Sequence, residues 1–292
     1  MPIASAQSQR FALGIVRLDG RLVPFAAFDG ARWQRAWPQA DDDVATPESV
    51  DGVDSIWQRQ RRRVPRIWHA RPATGASPRD IRVTGVEVVD AHCVAQVALT
   101  TDLPAAKDEH PLKYGVAIDV GLPIGRMQNV PESDSGLRAA EQLVVADFGR
   151  LEASTAQAER QRLPRESPAP AVHFVSLYRE RNSTRSPLYF VAEKKYRTPF
   201  SPQDRNCERI TVMTGWLVPT ADGTLQRRST KIFLTDCDRQ TVRTALPLGA
   251  VHVSRRLFWV LQEHGYEDET YVIAEIGPTR VRFPLSVNGG GC

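Results

Sequence analysis

Beyond residue 171 strand-like runs follow one another with no helical pattern between them. Runs rich in β-branched and aromatic residues lie at 172–179, 187–196, 209–218, 225–235, 257–265, 270–276 and 279–285, most of them parted by short turns. Parallel neighbours need a long crossover, so spacing this tight predicts antiparallel pairing. The N-terminal part reads the same way. Phe11–Leu18 leads through Asp19-Gly20 into Arg21–Phe28 and a second Asp29-Gly30 turn, a hairpin whose return strand carries Pro24. Proline cannot donate to a ladder, which confines that strand to an edge or a bulge. Further strands are expected at 81–89, 93–101 and 113–120.

One stretch breaks the pattern. From Ser133 to Phe148 the residues Leu137, Ala140, Val144 and Phe148 recur at helical spacing, with Ser133 or Ser135 to cap the N-terminus, and the helix is expected to run towards Leu163. Pro164, Pro168 and Pro170 then end regular structure. The fold expected is mainly β (α+β), with antiparallel sheets in two β-rich parts and one long connecting helix at about 133–160. The divisions are 1–9 as a signal-peptide remnant or disordered start, 10–130 as a β-rich domain, 131–170 as helix and linker, 171–287 as a second antiparallel domain, and 288–292 as a disordered tail. No repeat period recurs along the chain.

The strands at 209–218 and 225–235 flank Asp222-Gly223, a dipeptide that favours tight turns. A three-residue loop at 221–223 pairs Thr220 with Thr224 and carries the register outward to Cys207 opposite Cys237. Opposed Cα atoms in such a ladder stand about 4.5–5.5 Å apart, a separation a disulfide accepts. A Cys207–Cys237 bridge is therefore expected, while the pairing of Cys93 and Cys292 is left open. Ala4-Ser5-Ala6 has the small-x-small form of a signal-peptidase site, although the charged and apolar regions that normally precede one are missing. With the bridge, it points to a periplasmic or extracellular compartment. No apolar run reaches the roughly 18 residues that a membrane-crossing helix needs, so no transmembrane segment is expected.

The net charge of +4 invites a nucleic-acid reading. Of the 38 basic residues, however, 33 are arginine, a bias simply read as that of a GC-rich genome. The densest run, Arg59–Arg66, has no aromatic residues interleaved as a stacking platform. No specific nucleic-acid partner follows, and a cytoplasmic anion-binding module centred on that run is a third reading behind the two below.

No nucleophile elbow, Walker loop, zincin motif or dinucleotide-binding glycine pattern occurs, and no two histidines are spaced as a helical metal pair. No cofactor or metal is expected. His92-Cys93 cannot pair directly if both lie on a strand, because neighbours point to opposite faces. Asp236 and Asp238 share a face as a candidate carboxylate site, and Trp33, Trp37, Trp259 and Tyr266 are candidate ligand-binding aromatics. Trp259, beside Phe258, must send its ring the opposite way. The expectation is an exported bacterial protein with a non-enzymatic binding or structural role. Its ligand or protein partner is unknown, and sheet edges offer a route to self-association. The alternative is a secreted hydrolase, glycan-directed, using carboxylates such as Asp236, Asp238, Glu267, Asp268 and Glu269 brought together by the fold.

Overall fold

The computed structural model describes residues 10–36, 64–72, 77–90, 95–104, 113–131, 134–181, 183, 185–201, 204–266 and 268–291. Trp37, Trp57, His92, Cys93, Glu267, Cys292, Arg59–Arg63 and residues 1–9 lie outside them. The described chain is mostly antiparallel strand with one helix. Strands β1 (Phe11–Arg17), β2 (Leu22–Phe28), β4 (Ile67–Pro72), β5 (Arg79–Asp90), β6 (Ala95–Thr101) and β7 (Lys113–Ile118) run in the order β1-β7-β4-β5-β6-β2. β1 pairs back with β2 and closes a barrel, and the short β3 (Trp33–Arg35) continues from β2.

Every barrel strand sends a side chain into one cluster, which is the lumen: Val16, Leu22, Trp68, Ile81, Leu99 and Ala117. Trp68 reaches Pro65 O with its indole N–H at 3.0 Å, which gives this buried polar group an acceptor. The bulge expected beside Pro24 is present. Leu13 faces Ala26 while Gly14 faces Pro24, and the extra residue, Phe25, accepts from Ala36 N through its carbonyl. Gly20 turns the β1–β2 hairpin at φ 81°, where an added Cβ would meet Leu103 O at 2.4 Å.

After β7 the chain forms β8 (Ile124–Gly125) and, one residue later, β9 (Met127–Asn129). β8 edges a middle sheet ordered β17-β16-β15-β14-β8, and β9 edges an outer sheet ordered β13-β12-β11-β10-β9. The outer strands are β10 (Val172–Glu180), β11 (Leu188–Ser201), β12 (Asp204–Pro219) and β13 (Leu225–Thr235). The middle ones are β14 (Thr244–Val253), β15 (Arg256–His264), β16 (Asp268–Ile276) and β17 (Val281–Gly291). The middle sheet is covered on both faces, which explains the unbroken apolar run of β15. Phe258 joins the cluster against the barrel and Trp259 the cluster against the outer sheet, so the two neighbouring rings do point opposite ways.

The helix, α1 (Ser135–Ala158), covers the far face of the outer sheet with Leu137, Ala140, Val144 and Phe148, the stripe its periodicity marks out. Its cap is Asp134, rather than Ser133 or Ser135; Asp134 Oδ1 accepts from Gly136 N at 2.8 Å. Three ion pairs tie α1 to the sheet: Asp134 with Arg179, Asp147 with Arg227, and Glu152 with Lys194. Glu152 is 1% exposed and also accepts from Tyr196 and Thr211 hydroxyls, each at 2.6 Å. The layers are therefore helix, outer sheet, middle sheet and barrel.

Cys207 and Cys237 form a disulfide with Cα atoms 5.2 Å apart. The route to it differs from the simple register. Pairing runs as expected from Pro219 opposite Leu225 to Trp216 opposite Arg228, then slips by one residue, so that Thr214 faces Lys231. Ser229, at φ 46°, lies in this bulge. Cys237 lies past the end of β13, in the turn that carries the chain back to the middle sheet, and that turn restores the approach. The tail is a correction to expectation. Rather than being disordered, residues 288–291 continue β17, with Asn288 opposite Thr270 and Gly291 opposite Asp268. Bonds along β16 order a segment whose glycines alone would not.

Candidate functional site

Among the described residues, those singled out in the sequence do not converge. Trp33 is 8% exposed and packs on Phe11, Phe28 and Phe258 at centroid distances of 5.5, 5.1 and 5.2 Å. The Arg256 guanidinium closes that cluster from above, 4.8 Å from the Phe258 centroid. Trp259 is wholly buried, edge-on to Trp216 at 4.8 Å. These two tryptophans are core, which is where a β sandwich puts its largest apolar rings. Tyr266 stands alone and exposed in the β15–β16 turn. Asp236 and Asp238 belong to the turn after β13, where Asp236 Oδ1 accepts from Asp238 N at 3.1 Å. Of the other acids considered, Asp268 is paired with Arg243 and Glu269 accepts from Gln262. No group of three or more His, Cys, Asp or Glu that could hold a metal occurs among the described residues.

A different place gathers charge. Where the chain leaves the barrel and passes from β8 to β9, the segment Leu122–Arg126 bridges the barrel wall and the ends of both sheets. Two hollows open on it, of about 370 and 400 Å³, and they share Arg71, Pro123 and Ile124. The first is completed by Gly125, Arg126, Glu180, Arg181 and His252. The second is completed by His69, Ala70, Pro78, Arg79, Asp80 and Leu122.

Local structure sets each of these side chains. On β4, Trp68 and Ala70 point into the lumen, so His69 and Arg71 point outward onto the cleft. Asp80 faces His69 across the β4–β5 ladder. Arg126 and Arg181 are brought together by the β9–β10 pairing, which ends with Arg181 N donating to Arg126 O at 2.7 Å. Gly125 leaves room for Glu180: an added Cβ would come within 2.0 Å of Glu180 Oε1 and push it aside, so the bare backbone lets the carboxylate lie over the crossover.

The acids and bases of the cleft are treated unequally. Asp80 Oδ1 is 2.6 Å from His69 Nδ1, and Glu180 Oε2 is 2.9 Å from His252 Nε2. Both carboxylates are thus engaged by imidazoles. Arg71 donates its Nε–H to Ile124 O at 3.1 Å, which leaves its terminal nitrogens facing the cleft. Arg71, Arg79, Arg126 and Arg181 form no ion pair among the described residues. Asp119, at the end of β7, accepts from Ala12 N at 2.7 Å; burial nevertheless pushes its carboxyl above the ordinary value, with that bond and the nearby His69 opposing.

Sequence reasoning missed this cluster. Its residues come from β4, β5, the crossover, β10 and β14, and no local density marks them in a chain with arginine throughout. The one local signal is His69-Ala70-Arg71, two polar residues alternating around a small one on a strand. Arg66, at the end of the basic run that did attract notice, is exposed and lines neither hollow. Among the described residues no helix is long and apolar enough to cross a membrane. No protein-family model, curated protein or solved structure matches this chain.

Proposed function

We propose that this is a non-enzymatic binding protein of a periplasmic or extracellular compartment, and that it holds an anionic ligand in the crossover cleft. The observation that carries the reading is the set of arginines, Arg71, Arg79, Arg126 and Arg181, without ion-pair partners among the described residues, beside carboxylates already engaged by histidines. Guanidinium forks match carboxylate, sulfate or phosphate oxygens in geometry as well as charge. The Cys207–Cys237 disulfide supports the compartment, since such bonds persist outside the reducing cytosol. β13 and β17 end their sheets, so self-association along an edge belongs to the same reading.

The binding claim is tested by thermal melts in sulfate, phosphate and acetate at low ionic strength. A saturable rise in Tm that disappears in Arg71→Ala is expected; no rise, or an equal rise in the variant, refutes it. The compartment is tested by non-reducing peptide mass spectrometry of fractionated host cells. A linked Cys207–Cys237 pair in the exported fraction is expected, and free thiols on a cytosolic protein refute it.

A hydrolase is the second reading, and the His69–Asp80 and His252–Glu180 pairs favour it, because an imidazole oriented by a carboxylate suits general acid–base work. Turnover of chromogenic esters or glycosides that falls in His69→Gln or His252→Gln would move the protein into that class.

A further inference from the structure

The hollows of the cleft are built alike. Each holds one carboxylate engaged by one imidazole, Asp80 with His69 and Glu180 with His252. Each also has arginine of its own, Arg79 in one and Arg126 with Arg181 in the other. Arg71 lines both. Pro123 and Ile124 form the ridge between them, and the ridge cannot move aside freely, because Ile124 is held in β8 against Val251 and its carbonyl accepts from Arg71. Both are open grooves of mixed polarity rather than enclosed apolar cavities, the form that takes a hydrated chain passing through rather than a buried small molecule.

A single small anion would match the arginine of one hollow and leave the other unmatched. We infer that the ligand is an extended polyanion that spans the Pro123–Ile124 ridge, an acidic oligosaccharide carrying sulfate or carboxylate groups. One acidic group sits in each hollow, and Arg71 bridges them over the Pro123–Ile124 ridge. Among the described residues no Phe, Tyr or Trp lines either hollow, and the two histidines are engaged by carboxylates, so the broad stacking platform on which single-stranded nucleic acid depends is missing. The inference rests on the anionic-ligand reading and specifies the ligand class of the same site.

The test is calorimetry on the full chain at low salt, with inorganic sulfate and a series of sulfated oligosaccharides from disaccharide to hexasaccharide. Two linked contacts turn the second into an intramolecular event, so the tetrasaccharide is expected to bind at least about tenfold tighter than sulfate or the disaccharide. Arg79→Ala and Arg126→Ala, one in each hollow, should each return it to roughly disaccharide affinity. Arg126→Lys should retain more binding than Arg126→Ala, and Arg138→Ala, on the exposed side of α1, should change nothing. Melting curves confirm that each variant is folded.

If sulfate binds and depends on Arg71 but longer sugars gain nothing, the two-hollow ligand is overturned while the anionic-ligand reading survives. If neither sulfate nor any sugar binds, both are overturned. A single-stranded oligonucleotide of equal charge binding as tightly as the sugar overturns the glycan assignment. Equal loss in Arg138→Ala shows diffuse surface attraction and overturns the site.

Discussion

Glu152 and the crossover arginines are both charges placed where layers meet, and the protein handles them in opposite ways. Between α1 and the outer sheet, Glu152 is sealed in with donors from Lys194, Tyr196 and Thr211. At the junction of barrel and sheets, Arg71, Arg79, Arg126 and Arg181 stand at a rim with no carboxylate paired to them among the described residues. An ionised group taken out of water loses several kcal/mol of hydration and must bring its partners with it. Rim arginines keep their water and can stay unpaired at little expense, which leaves them available to something else. A buried charge with its partners in place belongs to the architecture, whereas the rim arginines are the groups the proposed ligand would use. The two crossings between layers differ in the same spirit: the return at 236–243 is clamped by the Cys207–Cys237 bond, while the outward passage at Arg126 relies on short ladders and the Arg71–Ile124 hydrogen bond.

The largest effect is expected at Glu152. Glu152→Ala leaves Lys194 and two hydroxyls facing a void and should lower stability by about 3 kcal/mol in urea denaturation. A loss under about 1 kcal/mol would mean that the buried cluster is not structural. Next comes the clamped crossing. Cys207→Ala with Cys237→Ala opens a loop of 30 residues and should cost about 2–3 kcal/mol, since the hairpin already restrains part of the chain a disulfide would restrain. A negligible change in the melt would place the restraint entirely in the strands.

Asp19 sharpens the contrast, being a charge satisfied by arginine at a surface turn. Burial alone would raise its carboxyl, but the Arg21 amide and the Arg17 and Arg21 guanidiniums outweigh burial and hold it below its ordinary 3.8. A depressed acid stabilises the fold above its unfolded pKa, and that contribution is lost as pH falls through the lower folded value. Asp19→Asn should therefore cost about 1 kcal/mol at pH 7, a figure already discounted for partial exposure. The two proteins should converge as the pH drops below 3.8. Parallel pH-stability curves would refute the assignment. The smallest effect belongs to the open cluster. Arg126→Ala should leave stability within about 0.5 kcal/mol, while sulfate no longer shifts Tm as strongly; a large stability loss would show that the arginine is structural after all.

What could be read from the chain follows the range of the interaction. The apolar stripe Leu137, Ala140, Val144 and Phe148 depends only on residues a few positions apart, and it is the buried face of α1. The Asp222-Gly223 hairpin is equally local, and so is the divergence of Phe258 from Trp259. Of the described strands that escaped notice, β4 and β14 are the longest, and their residues supply the reasons. β4 lies just past the arginine run, with Arg71 and Pro72 within it, and β14 contains Pro247 and Gly249, residues that normally break a strand. Both survive because neighbours on either side supply the missing order; β14 carries a bulge where its proline sits. The tail is similar, since Gly289 and Gly290 gain conformation only from β16.

By itself the sequence determined the β-rich class, the single long helix and its buried face, and the antiparallel hairpin that brings Cys207 towards Cys237, because helical period, turn chemistry and alternation act over a few residues. Tertiary structure alone decided that the first strands close into a barrel, that the middle sheet is covered on both faces, and that Trp33 and Trp259 are core. It alone also decided that His69, Arg71, Arg126, Arg181 and His252 meet in one cleft. Apolar burial has no direction of its own, so which faces meet depends on competition among all layers at once. A solvated arginine at a rim carries no local mark of the neighbours that the fold will give it.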